Sequence, residues 1–237
     1  MAVAKKEKRG DKPFAKSAFI FELDNLALGL RRVRFETLAG ILKEQSIELL
    51  PAHFSRHCLH PSPMNYMEGF LKAMNAKKLK PEKVVERLMA AQAAHVEKAT
   101  PLKGGGLVKW MDAALARGAG LACVSMQPQE VANEAAAKLE LERWNVQVFS
   151  ALPMASEKKY PRADHWLRMA KALDRHAKRC LVAVTSMTTA KTALAAMMNV
   201  LAVPDEFTEY QDFCGANLVC ADLQKVNPNE FFEQISF

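Results

Sequence analysis

Apolar positions along this chain follow two periods. Short apolar runs at Phe19–Leu23, Ala119–Val124, Val146–Ala151, Leu181–Val184, Val200–Val203 and Asn217–Ala221 have the length and composition of buried strands. Most are separated by stretches with apolar residues at helical spacing. These are predicted helices over Leu107–Arg117, Gln129–Leu139 and Arg162–Leu173, the first ending at Gly118 as a normal C-cap. Strands alternating with helices predict an α/β fold with a doubly wound parallel sheet. The alternation breaks once. From Leu28 to Lys98 no strand pattern occurs, and three helical ones do. Arg34–Lys43 places Phe35, Leu38, Ile41 and Leu42 on one face. Pro63–Asn75 carries Met64, Met67, Phe70, Leu71 and Met74. Pro81–Lys98 opens on proline, with Val84, Val85, Leu88, Met89 and Ala93 recurring at helical spacing. The methionine stripe reads as core rather than as a ligand groove, because Met fills irregular gaps. The predicted organisation is a basic tail at 1–16, an α/β core from 17–29 and 100–237, and an inserted α-helical cap at 30–99. The turn residues near Ala27–Gly29 and Thr100–Gly106 mark the two crossings.

Composition agrees with this division. A chain of 237 residues, half of them hydrophobic, can bury a sizeable core. No apolar run reaches the ~18 residues of a membrane span, and no secretory signal pattern opens the chain. Five cysteines, Cys58, Cys123, Cys180, Cys214 and Cys220, are scattered and show no paired spacing. That predicts a reducing, cytoplasmic compartment. The net charge of +7 is partly local, with Lys5, Lys6, Lys8, Arg9, Lys12 and Lys16 in the first sixteen residues against Glu7 and Asp11. A tail of this composition is expected to be disordered. Phe14 is its one aromatic residue, so it carries no base-stacking signature, and a solubilising role is favoured over nucleic-acid binding.

Candidate chemistry gathers at the strand ends. The first strand runs Phe19-Ile-Phe-Glu-Leu-Asp-Asn-Leu26, with carboxylates Glu22 and Asp24 at i and i+2. Strand alternation points both the same way as the strand gives out. Two acids at the carboxyl end of a buried strand are costly unless they bind something, and ligands bind at that edge of an open α/β sheet. Leu121-Ala-Cys-Val-Ser125 ends in a hydroxyl residue, followed by Met126-Gln-Pro and a helical run. Glu157-Lys-Lys-Tyr-Pro161 leads into the helix beginning near Asp164. A fourth segment runs from Cys180 through Val184, Thr185 and a helix to a short strand ending near Pro204. Gly104–Gly106 is not a phosphate loop, since it lacks that motif's spacing and its Lys-Ser/Thr ending.

In this order the four segments resemble the motifs of the haloacid dehalogenase (HAD) superfamily of phosphatases and phosphomutases, over roughly residues 17 to 223. The resemblance is nearest to the β-phosphoglucomutase-like branch, in which a helical cap follows the first strand. It implies a HAD-like Rossmannoid core. It also implies that the Ser125 hydroxyl and the Met126 backbone amide hold a phosphoryl oxygen at a helix N-terminus. Lys159 would neutralise the phosphoryl group, or Lys158 if the alignment slips by one. The chain departs from the family twice. The family reads Asp-x-Asp, and Glu22 stands where its nucleophilic aspartate belongs, with Asp24 at the general acid–base position. The acidic pair of the fourth motif is replaced by Val184 and Thr185. The family's Mg²⁺ is held by the first Asp, a backbone carbonyl of the second and the fourth-motif acids, so no Mg²⁺ and no other cofactor is expected here. The longer arm of Glu22 shifts its carboxylate on the order of 1 Å, a misplacement that can cost ~100-fold in rate. Losing the cation also removes the main stabilisation of the transferring group.

The function this implies is that of a degenerate HAD-like protein without Mg²⁺-dependent phosphoryl transfer. It would bind a small phosphorylated molecule or a protein partner, without membrane or nucleic acid. The alternative is a hydrolase of weak or altered activity, using Asp24 as a base or drawing Mg²⁺ ligands from Asp205, Glu206 and Asp212. One further cluster is His53, His57, Cys58 and His60: in a helix His53 and His57 would share a face at i, i+4 and His57 and His60 at i, i+3, which could make a three-ligand transition-metal site. Pro61 and Pro63 close that segment and no acidic partner lies near, so a solvated cap loop facing the cleft is the competing account.

Overall fold

The computed structural model describes residues 16–60, 62–152 and 162–237; the rest of the basic tail and the segment carrying Lys158 and Lys159 lie outside them. Six strands pair in parallel: β1 (Ala18–Glu22), β2 (Gly120–Ser125), β3 (Gln147–Ser150), β4 (Cys180–Val184), β5 (Asn199–Ala202) and β6 (Leu218–Val219). Their order is β3-β2-β1-β4-β5-β6. The chain winds outward from β1 to β3, then returns to the other side of β1 and winds outward again. The switch point therefore lies between β1 and β4, beside Glu22.

β1 is apolar without interruption because both its faces are covered. Phe19 and Phe21 face a cluster that includes Trp110, from helix α5 (Gly106–Ala116), and Phe231 and Phe232, from α9 (Pro228–Gln234). Helix α6 (Gln129–Lys138) closes the same side through Ala132, Ala135 and Ala136. Ala18 and Ile20 face the opposite cluster. It holds Trp166 and Met169 from α7 (Ala163–Ala172) and Ala190 and Ala193 from α8 (Met187–Ala195). The three layers, helices, sheet and helices, are the predicted doubly wound arrangement.

Between β1 and α5 stand four helices, α1 (Leu30–Lys43), α2 (Pro51–His57), α3 (Met67–Ala73) and α4 (Pro81–Glu97). They surround a third cluster containing Leu38, Ile41, Phe54, Met67, Phe70 and Leu88. Three local expectations need revision. α1 begins at Leu30 rather than Arg34, because Gly29 takes a left-handed conformation (φ +63°) and turns the chain straight into the helix. The expected helix over Pro63–Asn75 is split: a single tight turn at 63–65 stops at Tyr66 before α3 starts. The stretch holding His53 and His57 is a helix with proline at its first position rather than a loop.

The segment after β5 reaches across to these helices. Phe207 packs against Phe54 and Phe35, with ring centroids 4.9 and 5.0 Å away. The Tyr210 hydroxyl donates to the Ser55 carbonyl at 3.2 Å. Arg32 pairs with Glu206 at 2.6 Å, but both side chains are largely exposed, so this pair adds little. None of the helices among the described residues is long and apolar enough to cross a membrane.

The glycine run at 104–106 has a packing role. A Cβ on Gly106 would lie 2.4 Å from the Leu223 Cβ and 2.8–2.9 Å from backbone atoms of residues 223 and 224. Gly106→Ala is therefore expected to force α5 off the 223–225 turn, at a cost of about 1–3 kcal/mol. Urea denaturation checks this, and unchanged stability would mean that the turn yields freely.

Candidate functional site

Parallel pairing brings three strand ends together. Glu22 is in register with Val124 and Phe21 with Ala183, so Glu22, Ser125 and Thr185 emerge side by side. Asp24 arrives differently from expectation. β1 ends at Glu22, and residues 23–27 form a wide helical turn, so Asp24 is presented by that turn rather than by strand alternation. Both acids still line one cavity.

The two carboxylates have separate partners. Asp24 accepts a hydrogen bond from the Ser125 hydroxyl at 2.5 Å and one from the Met126 backbone amide at 2.7 Å. Ser125 Oγ in turn accepts from the Gln127 amide at 3.0 Å. Burial pushes the Asp24 carboxyl above its ordinary range, against the pull of these two bonds and of the nearby Arg34 charge. The two groups expected to hold a phosphoryl oxygen, Ser125 and Met126, are thus engaged by Asp24.

Glu22 is held by a different chain of contacts. The Thr185 hydroxyl donates to Glu22 Oε2, and Arg31 Nη2 donates to Thr185 Oγ1 at 2.9 Å. Arg31 Nη1 pairs with Asp205, whose other oxygen accepts from the Phe207 amide at 3.0 Å and the Thr208 hydroxyl at 3.1 Å. The Arg31 side chain is 4% exposed. Among the described residues, Glu22 Oε1 has no hydrogen-bond partner. Val184 is buried in the α7–α8 cluster, and Thr185 serves as a link in this chain.

The cavity, about 280 Å³, lies between the carboxyl edge of the sheet and α1. Leu30, Leu59, Val124 and Trp166 give it apolar walls, and Gln92, Thr188, Thr189 and Gln211 add polar groups. The start of α8 is satisfied internally, since Ser186 accepts from the Thr189 amide and Gln211 Oε1 from the Met187 amide. Arg34 also lines the cavity, almost fully buried.

Of the remaining predicted residues, Lys158 and Lys159 lie outside the described residues. Among the distal acids, only Asp205 is drawn to the site, through Arg31; Glu206 faces Arg32, and Asp212 lies 3.8 Å from Lys191 at the surface. The histidine cluster does not converge. Among the described residues no three His, Cys, Asp or Glu side chains come together as metal ligands. Cys58 is buried in the cap cluster, where burial pushes its thiol up to about 12. His60 Nδ1 accepts from the Ser62 amide at 3.0 Å.

Arg31 and Arg34 were not among the predicted site residues. Their signal was present: 31, 34, 38 and 41 fall at steps of 3, 4 and 3, one helical face, on which Leu38 and Ile41 are core.

The class of fold is now defined: a HAD-like α/β core with a helical cap, of the β-phosphoglucomutase type. Among solved structures, the chain is similar to β-phosphoglucomutase from Clostridium difficile, at 15% identity and a TM-score of 0.68, covering 93% of this chain and 97% of that one. A HAD-family hydrolase from Deinococcus radiodurans, solved with bound phosphate and sodium, matches at 16% identity and a TM-score of 0.66, covering 90% and 94%. A putative β-phosphoglucomutase from Thermotoga maritima matches at 17% and 0.62, covering 93% and 98%. No protein-family model and no curated protein matches the sequence. At these identities the likeness is one of fold.

Proposed function

We propose that this chain is a small-molecule-binding protein on a HAD-like fold, without Mg²⁺-dependent phosphoryl transfer. The observation that carries this is the Arg31 guanidinium. It holds Thr185, which donates to Glu22, so the carboxylate that would have to attack phosphorus and ligate a metal is already tied into a chain of contacts ending on a buried cation. The residues present do not fit Mg²⁺, which demands near-octahedral oxygen ligands. Where the fourth-motif acids would stand, the Val184 side chain offers no oxygen and the Thr185 hydroxyl is donated to Glu22. A divalent cation beside the Arg31 charge would also be repelled.

A hydrolase of altered activity is the second candidate. It is favoured by Glu22 Oε1, an unpaired carboxylate oxygen in a residue that lines the cavity. One assay separates the two. Turnover of p-nitrophenyl phosphate and hexose phosphates in millimolar Mg²⁺ is expected to equal that of Glu22→Ala. Mg²⁺ itself is expected to leave the melting temperature unchanged, since a ligand stabilises only in proportion to its occupancy. Mg²⁺-dependent turnover that disappears in Glu22→Ala would establish the hydrolase.

A further inference from the structure

Three buried charged groups line the cavity with one atom each that lacks a hydrogen-bond partner among the described residues: Glu22 Oε1, Arg31 Nε and Arg34 Nε. Arg34 is 5% exposed. Among the described residues its Nη1 makes a long hydrogen bond to the His60 carbonyl, at 3.4 Å, and its Nε has no partner. The Tyr66 hydroxyl lies beside the guanidinium, close enough to pair with it. Asp24 lies close enough to feel the Arg34 charge, but both its oxygens are engaged by Ser125 and Met126. Glu22 is 7% exposed, and its Oε1 is unpaired among the described residues. Buried polar groups in folded proteins are nearly always satisfied. Guanidinium nitrogens and a carboxylate oxygen left unpaired among the described residues, on side chains lining one cavity, point to a ligand that supplies both partners.

Charge decides which kind of ligand. Among the described residues, Glu22, Asp24 and Asp205 stand against Arg31 and Arg34. A phosphate ester would add about two negative charges to a site already rich in carboxylates. A zwitterion adds none. The volume of about 280 Å³ suits a small metabolite.

We infer that the cavity binds a small zwitterion of the amino-acid type. Its carboxylate would sit on Arg34, its ammonium on Glu22 Oε1, and its apolar side chain against Leu30, Leu59 and Trp166. This deepens, and rests on, the binding role proposed above.

The test uses the full chain and a panel of leucine, methionine and phenylalanine, followed by calorimetry and thermal shift. For each amino acid the controls are the acid lacking its amine, the amine lacking its carboxylate, and inorganic phosphate. At least one amino acid should bind, at least about tenfold tighter than any of its controls, because each control forfeits a charge-assisted hydrogen bond. Glu22→Gln should weaken that amino acid by about tenfold. Arg34→Met should abolish binding while leaving the melting temperature of the ligand-free protein equal or higher, since it removes an unmatched buried charge. A purely structural Arg34 would instead lower it. The inference is overturned if no amino acid binds the folded protein, if an amine-free acid or phosphate binds as well, or if Arg34→Met binds normally or melts early. The phosphatase assay on the same preparation keeps the two claims apart: turnover sinks the binding role, whereas neither turnover nor binding sinks the zwitterion alone.

Discussion

Replacing Arg31 with methionine is expected to cost about 3 kcal/mol of stability, roughly 10 °C in melting temperature for a chain of this size. The Arg31 side chain is 4% exposed and Asp205 is 26% exposed, so the pair is shielded from water on one side and only partly on the other. Methionine fills most of the volume, so the loss is electrostatic. It leaves Asp205 with only the Phe207 amide and the Thr208 hydroxyl, and it leaves Thr185 without its donor. Removing one member of a buried pair is costly because the other charge stays behind. Adding Asp205→Asn to Arg31→Met should therefore recover more than half of the loss. A guanidinium chloride double-mutant cycle measures this, with a coupling of about 1–3 kcal/mol expected for groups in contact. A single-variant cost below about 1 kcal/mol would reduce the pair to an ordinary surface contact.

The second large effect belongs to Phe207. Its ring is nearly fully buried between Phe54 and Phe35, yet it comes from the segment after β5, on the α/β side. Phe207→Ala should cost about 3–5 kcal/mol: the lost transfer energy plus the cavity left in a cluster held by helices that cannot collapse independently. The edge-to-face pair with Phe54 adds about 0.5–1.5 kcal/mol that an aliphatic residue cannot restore. Phe207→Leu should recover about half of the total. Equilibrium unfolding followed by tryptophan fluorescence and by circular dichroism reads both. The three tryptophans all lie outside the cap, at positions 110, 144 and 166. If Phe207 fastens the cap, fluorescence and dichroism should separate into two transitions in the alanine variant. A cost under about 1 kcal/mol would show that the cap cluster closes without this ring.

The fold was legible where burial is complete. β1, β2 and β4 are covered on both faces, so each reads as an unbroken apolar run. β6 has only two residues, with Val219 half exposed, and its hydrophobic signal is correspondingly thin. At the site, Glu22, Asp24, Ser125 and Thr185 were visible as polar residues closing apolar strands, and parallel register alone brings their strand ends together. Their bonding was not visible. Which carboxylate takes the Ser125 hydroxyl depends on the wide turn after β1, and no local residue pattern marks such a turn. Arg31 and Arg34 were hidden by Arg32 between them, an exposed residue that makes Arg-Arg-Val-Arg resemble a solvated face. Their partners lie elsewhere in the chain, Asp205 being 174 residues from Arg31. Periodicity reports the face of a helix, not what that face meets.

The strap formed by Asp205, Phe207 and Tyr210 also imposes an order of events during synthesis. The cap helices leave the ribosome long before the residues that cover them: Tyr210 follows Ser55 by 155 positions, and Asp205 follows Arg31 by 174. At roughly 5–20 residues per second, Phe35 and Phe54 wait on the order of ten seconds or more for Phe207. β1 waits too, since its neighbour β4 begins at Cys180. The nascent chain therefore carries an open aromatic face and an unpaired apolar strand edge together, through most of its elongation. This is a state that chaperones recognise and that aggregation exploits. The same distant contacts that hold the cap down in the finished molecule make its maturation late and its nascent form the vulnerable one.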